Sequence, residues 1–168
     1  MQKIALFVAT CLLAAAWGQD DNKPEAKPAT KAMAAKYWNT DQGKWSDAGV
    51  AGIHAMPVSG DPAKGSSVQY LKFDPGTAVP WHWHSGVETL LGDSGTLEVH
   101  MWKSENPVKI TSGSYAKMPG HMIHSAKCIS NDPCTLYLET AGIFDMHMVD
   151  DKGNEIKPTA KGAKAEMK

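Results

Sequence analysis

The stretch of sequence from residue 76 to residue 95 reads GTAVPWHWHSGVETLLGDSG. Its two histidines, His82 and His84, are two positions apart, so on a β-strand both imidazoles project from the same face. Glu88 follows four residues after the second histidine, close enough for a carboxylate oxygen to reach the same point. The pattern predicts a strand that presents metal ligands on one of its faces.

A third histidine, His124, lies on a later segment behind a Pro-Gly turn signal. Together with His82, His84 and Glu88, it would form a site of three neutral imidazole nitrogens and one carboxylate. These donors suit one divalent transition metal: iron or manganese is favoured, and nickel, cobalt, copper and zinc fit as well. Six-coordinate geometry would leave two positions open for water, dioxygen or a bidentate substrate.

The spacing of these residues resembles that of the cupin superfamily. The first cupin motif is matched position for position by Gly76, His82, His84, Glu88 and Gly95. The second motif is matched by Gly113, Pro119 and His124. Two residues depart from it, since His121 stands where the family has glycine and Cys128 where it has a closing asparagine. The segment 142–147 is similar to single-domain cupins of the anti-sigma-factor and dihydroxyacetophenone-dioxygenase type.

The resemblance implies a cupin domain over residues 49–149, built as a double-stranded β-helix, or jelly-roll barrel, with the metal inside. The pattern of the residues independently predicts an all-β sandwich or barrel, because strand-length runs alternate with Gly, Pro, Asn and Asp. The predicted runs are 50–56, 67–73, 96–102, 108–111, 114–118, 135–140 and 143–149. Residues expected to line the barrel are Tyr70, Phe73, Met118, Met122, Leu136 and Leu138.

The first 18 residues have the pattern of a secretory signal peptide, with a positive start, a short apolar run and small residues before Gln19. The apolar run is too short to span a bilayer, so we expect a secreted or periplasmic protein with no stable membrane insertion after cleavage. A lipoprotein anchor through Cys11 is disfavoured because the preceding apolar run is short. Residues 19–48 and 150–168 are expected to be a flexible extension and a flexible tail.

Once the signal peptide is removed, two cysteines remain, Cys128 and Cys134. The Asn-Asp-Pro sequence between them favours a turn that would bring the two thiols together. A disulfide is the favoured interpretation in an exported protein, and two free, part-buried thiols are the alternative.

The charged residues restrict the class of partner. The chain carries 17 basic residues, all of them lysine, against 18 acidic ones. This balance lacks the basic excess that binding to DNA or RNA requires. Because arginine is absent, no guanidinium can hold a phosphate or carboxylate in bidentate fashion, which counts against phosphosugars and dicarboxylates. We expect a small-molecule substrate, and exposed barrel edges make a homodimer a candidate assembly.

The other histidines and aromatic residues have several interpretations. His121, Tyr70 and Met118 are candidates for contact with a metal ligand or with substrate, although a plain turn role for His121 is favoured. We expect His54, His100 and His147 to be structural or solvent-facing histidines. Trp81 and Trp83, on the strand face opposite the ligands, are expected to pack against a second sheet or a dimer partner.

Three functions remain open at this point. A chelated substrate beside activated dioxygen would make the protein a metal-dependent oxidoreductase, a dioxygenase on a small oxygen-chelating compound. The first alternative is a metal-dependent isomerase or lyase in which Glu88 acts as a base. The second is a cupin that binds a metal or small ligand without catalysis, because one barrel hosts many chemistries.

Overall fold

The computed structural model describes residues 35–157, and its secondary structure is entirely β. The strands are β1 (Ser46–Asp47), β2 (Ile53–Gly60), β3 (Ser67–Phe73), β4 (Ala78–Trp83), β5 (Glu88–Ser94), β6 (Leu97–Met101), β7 (Val108–Ile110), β8 (Tyr115–Met118), β9 (His124–Cys128), β10 (Cys134–Thr140) and β11 (His147–Met148). The predicted signal peptide with Cys11, positions 19–34 of the predicted extension and positions 158–168 of the predicted tail lie outside the described residues. Within the described part, no helix is long and apolar enough to cross a membrane.

The strands form two antiparallel sheets. The six-stranded sheet has the order β1-β2-β3-β10-β5-β8, and the five-stranded sheet has the order β11-β4-β9-β6-β7. Except for β1 to β3 and for β6 and β7, successive strands lie in different sheets, so most neighbours in space are distant in sequence. This arrangement confirms the all-β jelly-roll barrel expected from the sequence.

The core lies between the two sheets and follows the alternation of the strands. On β10, Leu136 and Leu138 are each 1% exposed and project inward, next to the inward residues of β3 and β5. Burying a leucine side chain of this kind contributes about 2 kcal/mol. The disulfide between Cys128 and Cys134, with a Cα–Cα distance of 5.7 Å, joins β9 to β10 in the same core.

Strand pairing and aromatic packing also involve residues on either side of positions 49–149. Ser46 and Asp47 pair with β2, and Trp38 packs edge-on against Tyr70 at a ring distance of 5.8 Å. After β11, the chain turns back so that Val149 forms a β-bridge with Glu155. The contact of Trp38 joins residues 32 positions apart, so local composition did not indicate it.

Candidate metal centre

Three strands bring the predicted ligands together. His82 lies on β4 directly opposite His124, the first residue of β9. His84 follows immediately after β4, and Glu88 begins β5 in the facing sheet. One ring nitrogen from each of the three histidines lies within 4.8 Å of the other two. The ligands therefore converge from both walls of the barrel.

All four side chains are withdrawn from solvent, with residue exposures between 3% and 7%. The imidazole rings of His82 and His124 are 4.3 Å apart between centroids. Ionisable groups are rarely buried so completely unless they are paired or bind a metal. Their burial therefore needs a chemical explanation, which the hydrogen bonds supply.

Each histidine has its Nδ1 atom against a backbone carbonyl oxygen. These bonds run from His82 to Pro80 at 2.7 Å, from His124 to Met122 at 2.9 Å, and from His84 to Asp145. A carbonyl oxygen can only accept, so each Nδ1 carries the proton and each neutral ring keeps a free lone pair on Nε2. Outer hydrogen bonds of this kind orient histidine ligands in metal sites.

Glu88 completes the cluster with an atom that has no hydrogen-bond partner. Its Oε2 is fully buried and lies 3.2 Å from Nε2 of His124 and 3.8 Å from Nε2 of His84. Within the described residues, nothing donates a hydrogen bond to this oxygen. Three nitrogen lone pairs and a carboxylate oxygen thus face one point. This donor set fits a divalent transition metal.

The pKa shifts follow from burial and from the closeness of these groups. Burial, with a further contribution from His124, lowers the pKa of His82 to about 4, so this ring is neutral at physiological pH. Burial alone would raise the pKa of Glu88, but the neighbouring imidazoles, His124 foremost, hold it below its usual value. Burial would lower the pKa of His124, but the Glu88 carboxylate outweighs it and raises that pKa. Because metal binding uses the Nε2 lone pair of His124, a cation at this site would compete with protonation of that ring.

The segment after β10 closes the site, and the sequence did not predict this role. The run 143–149 was expected to be a strand, but only His147–Met148 pairs as one. Phe144 lies over the ring of His84 at a centroid distance of 4.8 Å. The Asp145 carboxylate accepts the backbone N–H of Ser85 at 2.8 Å. The resemblance of segment 142–147 to small cupins was the one signal that pointed here.

Asp145 supports the metal centre through both its backbone carbonyl and its side-chain carboxylate. Its carbonyl holds the ring of His84, and its carboxylate also contacts His147 at 3.2 Å. Burial would raise the pKa of this carboxyl, but the hydrogen bonds from Ser85 and His147 outweigh it and lower the pKa to about 2. The carboxylate therefore stays charged and keeps the segment seated against His84.

A cavity of about 300 Å³ opens onto the ligands. Its walls are mostly aliphatic and aromatic, and they include Phe73, Leu136 and Leu138 among the residues predicted to line the barrel. Ligand pockets commonly range from about 300 to 1,000 Å³, so this cavity suits a small molecule. The cavity and the ligands together form a site that can hold a metal beside a small substrate.

The remaining candidates for a contact with ligands or substrate lie elsewhere. Tyr70 faces away from the cavity and donates from its hydroxyl to Asp93, because it alternates with the inward residues of β3. Met118 is 3% exposed and packs in the core, outside the residues that line the cavity. Met122, expected to line the barrel, is 37% exposed.

His121 lies at the turn where the cupin motif has glycine. It adopts a φ of 63°, a left-handed conformation that glycine adopts without strain. Its backbone N–H donates to the carbonyl of His84, while its ring packs 4.6 Å from the ring of Trp83. His121 thus supports the loop beside a ligand through its backbone, and its side chain lies outside the cavity.

The other aromatic and histidine side chains face away from the cavity. Trp81 packs edge-on against Trp102, and Trp83 stacks on His147 at 3.8 Å. His100 bonds to its neighbour Glu98 at 2.9 Å. His54 lies 3.4 Å from Asp74. None of these rings lines the cavity.

Comparison with known proteins agrees with this fold. A family model described as "ChrR Cupin-like domain" matches residues 33–143. No curated protein matches the sequence.

Among solved structures, the chain is similar to the polyketide cyclase RemF from Streptomyces resistomycificus, with 12% identity, a TM-score of 0.60, and coverage of 70% of this chain and 87% of that one. It is also similar to an RmlC-like cupin protein from Ralstonia eutropha, with 17% identity, a TM-score of 0.59, and coverage of 74% and 78%. An acetylacetone dioxygenase from Acinetobacter johnsonii has 16% identity, a TM-score of 0.57, and coverage of 86% and 97%. At these identities the likeness concerns the fold.

Proposed function

The chain belongs to the ChrR cupin-like family, and we propose that it is an exported metal-dependent enzyme, a dioxygenase acting on a small compound with chelating oxygens. The observation that carries this proposal is the buried, unpartnered Oε2 of Glu88, which faces three imidazole nitrogens beside a cavity. Iron or manganese is the proposed metal, because nitrogen and carboxylate donors with open positions suit dioxygen chemistry.

His82, His84, His124 and Glu88 would hold the metal. Bound there, it supplies Lewis-acid polarisation of a substrate oxygen and, where it is redox-active, electrons for dioxygen chemistry. The chain's own residues prepare the site: backbone carbonyls orient the imidazoles, and apolar walls exclude bulk water. A substrate entering the cavity would present its oxygens to the ligand end and its body to the apolar walls.

The similarity to an acetylacetone dioxygenase supports the choice of reaction. Acetylacetone is a small neutral molecule with two chelating oxygens, and the cavity described above suits a compound of that kind. The polyketide cyclase among the similar structures has the same barrel with a different activity. The fold therefore leaves the reaction open, and the proposal depends on the ligand set and the cavity.

A metal-dependent isomerase or lyase is the second candidate, and Glu88 is the observation that favours it. The imidazoles hold the pKa of this buried carboxyl low despite burial, so it is ionised at neutral pH. An ionised oxygen without a hydrogen-bond partner can accept a proton from a substrate carbon next to a polarised carbonyl. In this alternative, Glu88 acts as the catalytic base and no dioxygen is consumed.

The test compares the protein spanning residues 19–168 with its His82→Ala/His84→Ala double variant. We expect near-stoichiometric iron or manganese by elemental analysis in the first protein and loss of that metal in the second. Oxygen uptake with a panel of β-diketones, enediols and hydroxy-ketones then identifies the reaction. Zinc alone, or turnover without oxygen uptake, would favour the isomerase or lyase. Failure to bind any metal at excess would overturn the enzyme proposal and leave a small-ligand-binding cupin.

Export is part of the same proposal, and it depends on the signal-peptide pattern of residues 1–18. We expect the mature protein in the periplasm or the medium, where the disulfide between Cys128 and Cys134 can form. N-terminal sequencing of the secreted protein should begin at Gln19. A Cys11→Ser variant that is released while the parent chain stays membrane-bound would instead demonstrate lipoprotein anchoring.

A further inference from the structure

The residues that line the cavity restrict the chemical class of substrate that can bind there. Among the described residues that line it, none is a lysine, and the acidic groups are Glu88 at the ligand end and Asp47 on β1. Apart from a bound metal, an anionic ligand would meet carboxylates and no lysine side chain. A neutral compound with an apolar body would instead gain from burial against the walls.

Gln69 is the polar residue among the three residues of β3 that line the cavity. It is 8% exposed and lines the cavity together with Leu71 and Phe73, which share its face of the strand. Its neighbours on the adjacent strands, Pro57 and Leu138, are apolar. No side-chain hydrogen bond among the described residues involves its amide, and the amide is not one of the fully buried polar atoms, so it is open to the cavity. An amide that is open to a mostly apolar cavity can form its hydrogen bonds with a molecule that enters the cavity.

The register of the six-stranded sheet relates Gln69 to the ligand end. Ser67, Thr140 and Glu88 form one row across β3, β10 and β5. Gln69 belongs to the next inward row, with Leu138 and Leu90. From the usual strand spacing and rise, the Cα atoms of Gln69 and Glu88 are about 12 Å apart. A small molecule that chelates at the ligand end can extend along the cavity toward the amide.

We propose that the substrate is a neutral, mostly apolar compound. The oxygens at one end chelate the metal, and the other end carries a group that forms a hydrogen bond with Gln69. This inference rests on the proposed function, since it needs a chelating site at Glu88 and the three histidines. Gln69 is a specificity-determining residue in this scheme: its amide donates to or accepts from the distal group, and Leu71 and Phe73 cover the body of the compound.

The test uses the zinc-loaded protein, because zinc does not change oxidation state and binding can be measured without turnover. The probes are 1-phenylbutane-1,3-dione, its 4-hydroxyphenyl analogue, and oxaloacetate, each titrated by calorimetry. We expect the hydroxyphenyl compound to bind about fivefold more tightly than the phenyl compound, as one neutral hydrogen bond would produce. Oxaloacetate should bind more weakly than either.

Two variants with the same substitution separate the cavity from the surface. Gln69→Leu should abolish the preference for the hydroxyphenyl compound, whereas Gln42→Leu, at an exposed position outside the cavity, should retain it. The metal-free Gln69→Leu protein should unfold at a temperature equal to or above that of the parent, since leucine suits the apolar surroundings. A lower unfolding temperature would reveal a structural partner for the amide and overturn the assignment.

The outcomes also separate this inference from the proposed function. Probe discrimination by Gln69 in a protein that consumes no oxygen would uphold the inference and refute the dioxygenase. Oxygen uptake with a substrate that binds equally well to the parent and to Gln69→Leu would support the dioxygenase and refute the role of Gln69. Failure of both neutral probes to bind, or tighter binding of oxaloacetate, would overturn the proposed substrate class.

Discussion

The disulfide between Cys128 and Cys134 allows a quantitative prediction of stability. The two cysteines are six positions apart and only 0% and 1% exposed, so the bond closes a short loop inside the core. For a loop of about seven residues, the loss of chain entropy in the unfolded state corresponds to about 2.4 kcal/mol at 25 °C. Reducing the bond should lower the free energy of unfolding by this amount.

Replacing both cysteines by alanine should cost more than reduction alone. The Cys128→Ala/Cys134→Ala variant loses the covalent bond and also the packing of two buried sulfur atoms, which adds about 1 kcal/mol each. We therefore expect a total loss of about 4 kcal/mol, against about 2.4 kcal/mol for the reduced parent. The difference between the two measurements isolates packing from the covalent bond.

The assay is equilibrium unfolding in urea of the protein spanning residues 19–168, with and without a phosphine reductant. With a denaturant slope of about 2 kcal/mol/M, reduction should lower the midpoint by about 1.2 M. The Cys128→Ala/Cys134→Ala variant is the control for the reductant and should show no change on its addition. An unchanged midpoint in the parent, or two free thiols in the denatured, unreduced protein, would refute the reasoning.

Three further predictions concern the metal centre and the segment that supports it. Adding zinc at a hundred times its dissociation constant should stabilise the protein by about 2.7 kcal/mol in thermal unfolding. This stabilisation should vanish in the His82→Ala/His84→Ala variant and persist in the His100→Ala variant. If zinc still stabilises the double variant, the proposed metal site is wrong. Asp145→Ala should weaken metal affinity about tenfold in competition with a chromophoric chelator, and an unchanged affinity would contradict its supporting role. Because the pKa of Asp145 is lowered, its carboxylate stabilises the fold above pH 3.8, the value of the unfolded chain, and this stabilisation is lost as the pH falls toward 2. Because the pKa of His147 is raised, its imidazolium stabilises the fold below pH 6.5, and this stabilisation is lost as the pH rises through the raised value. Hydrogen-exchange protection in this segment, corrected for intrinsic rates, should therefore peak between these values, and His147→Ala should remove the alkaline decline; an unchanged profile in that variant would contradict it.

The local sequence pattern was sufficient to predict a strand where apolar and polar residues alternate regularly. The run 67–73 was predicted with the same limits as β3, because one face carries Gln69, Leu71 and Phe73. Pattern was insufficient to say which face turns inward. The prediction that Tyr70 lines the barrel was wrong, since its ring packs outside against Trp38, and that contact joins residues 32 positions apart.

The segment 143–149 shows the opposite case, in which a strand-like sequence becomes a loop. Its apolar residues have β propensity, but the Phe144 amide donates to the carbonyl of Pro62 and the Asp145 carboxylate accepts from Ser85. These bonds to distant parts of the chain override local propensity. They also explain why sequence reasoning did not identify Asp145 as a support for His84.

The sequence by itself determined the chemistry of this protein: which side chains can bind a metal, that they belong to an all-β barrel, and that no guanidinium is available for anions. These properties depend on residue type and short-range spacing, which are visible along the chain. Only the tertiary structure decided that Glu88 approaches from the facing sheet and that Gln69 lines the same cavity among apolar neighbours. Those facts arise from the register between strands distant in sequence, where the free energy of burial and hydrogen bonding is shared among segments that no local pattern connects.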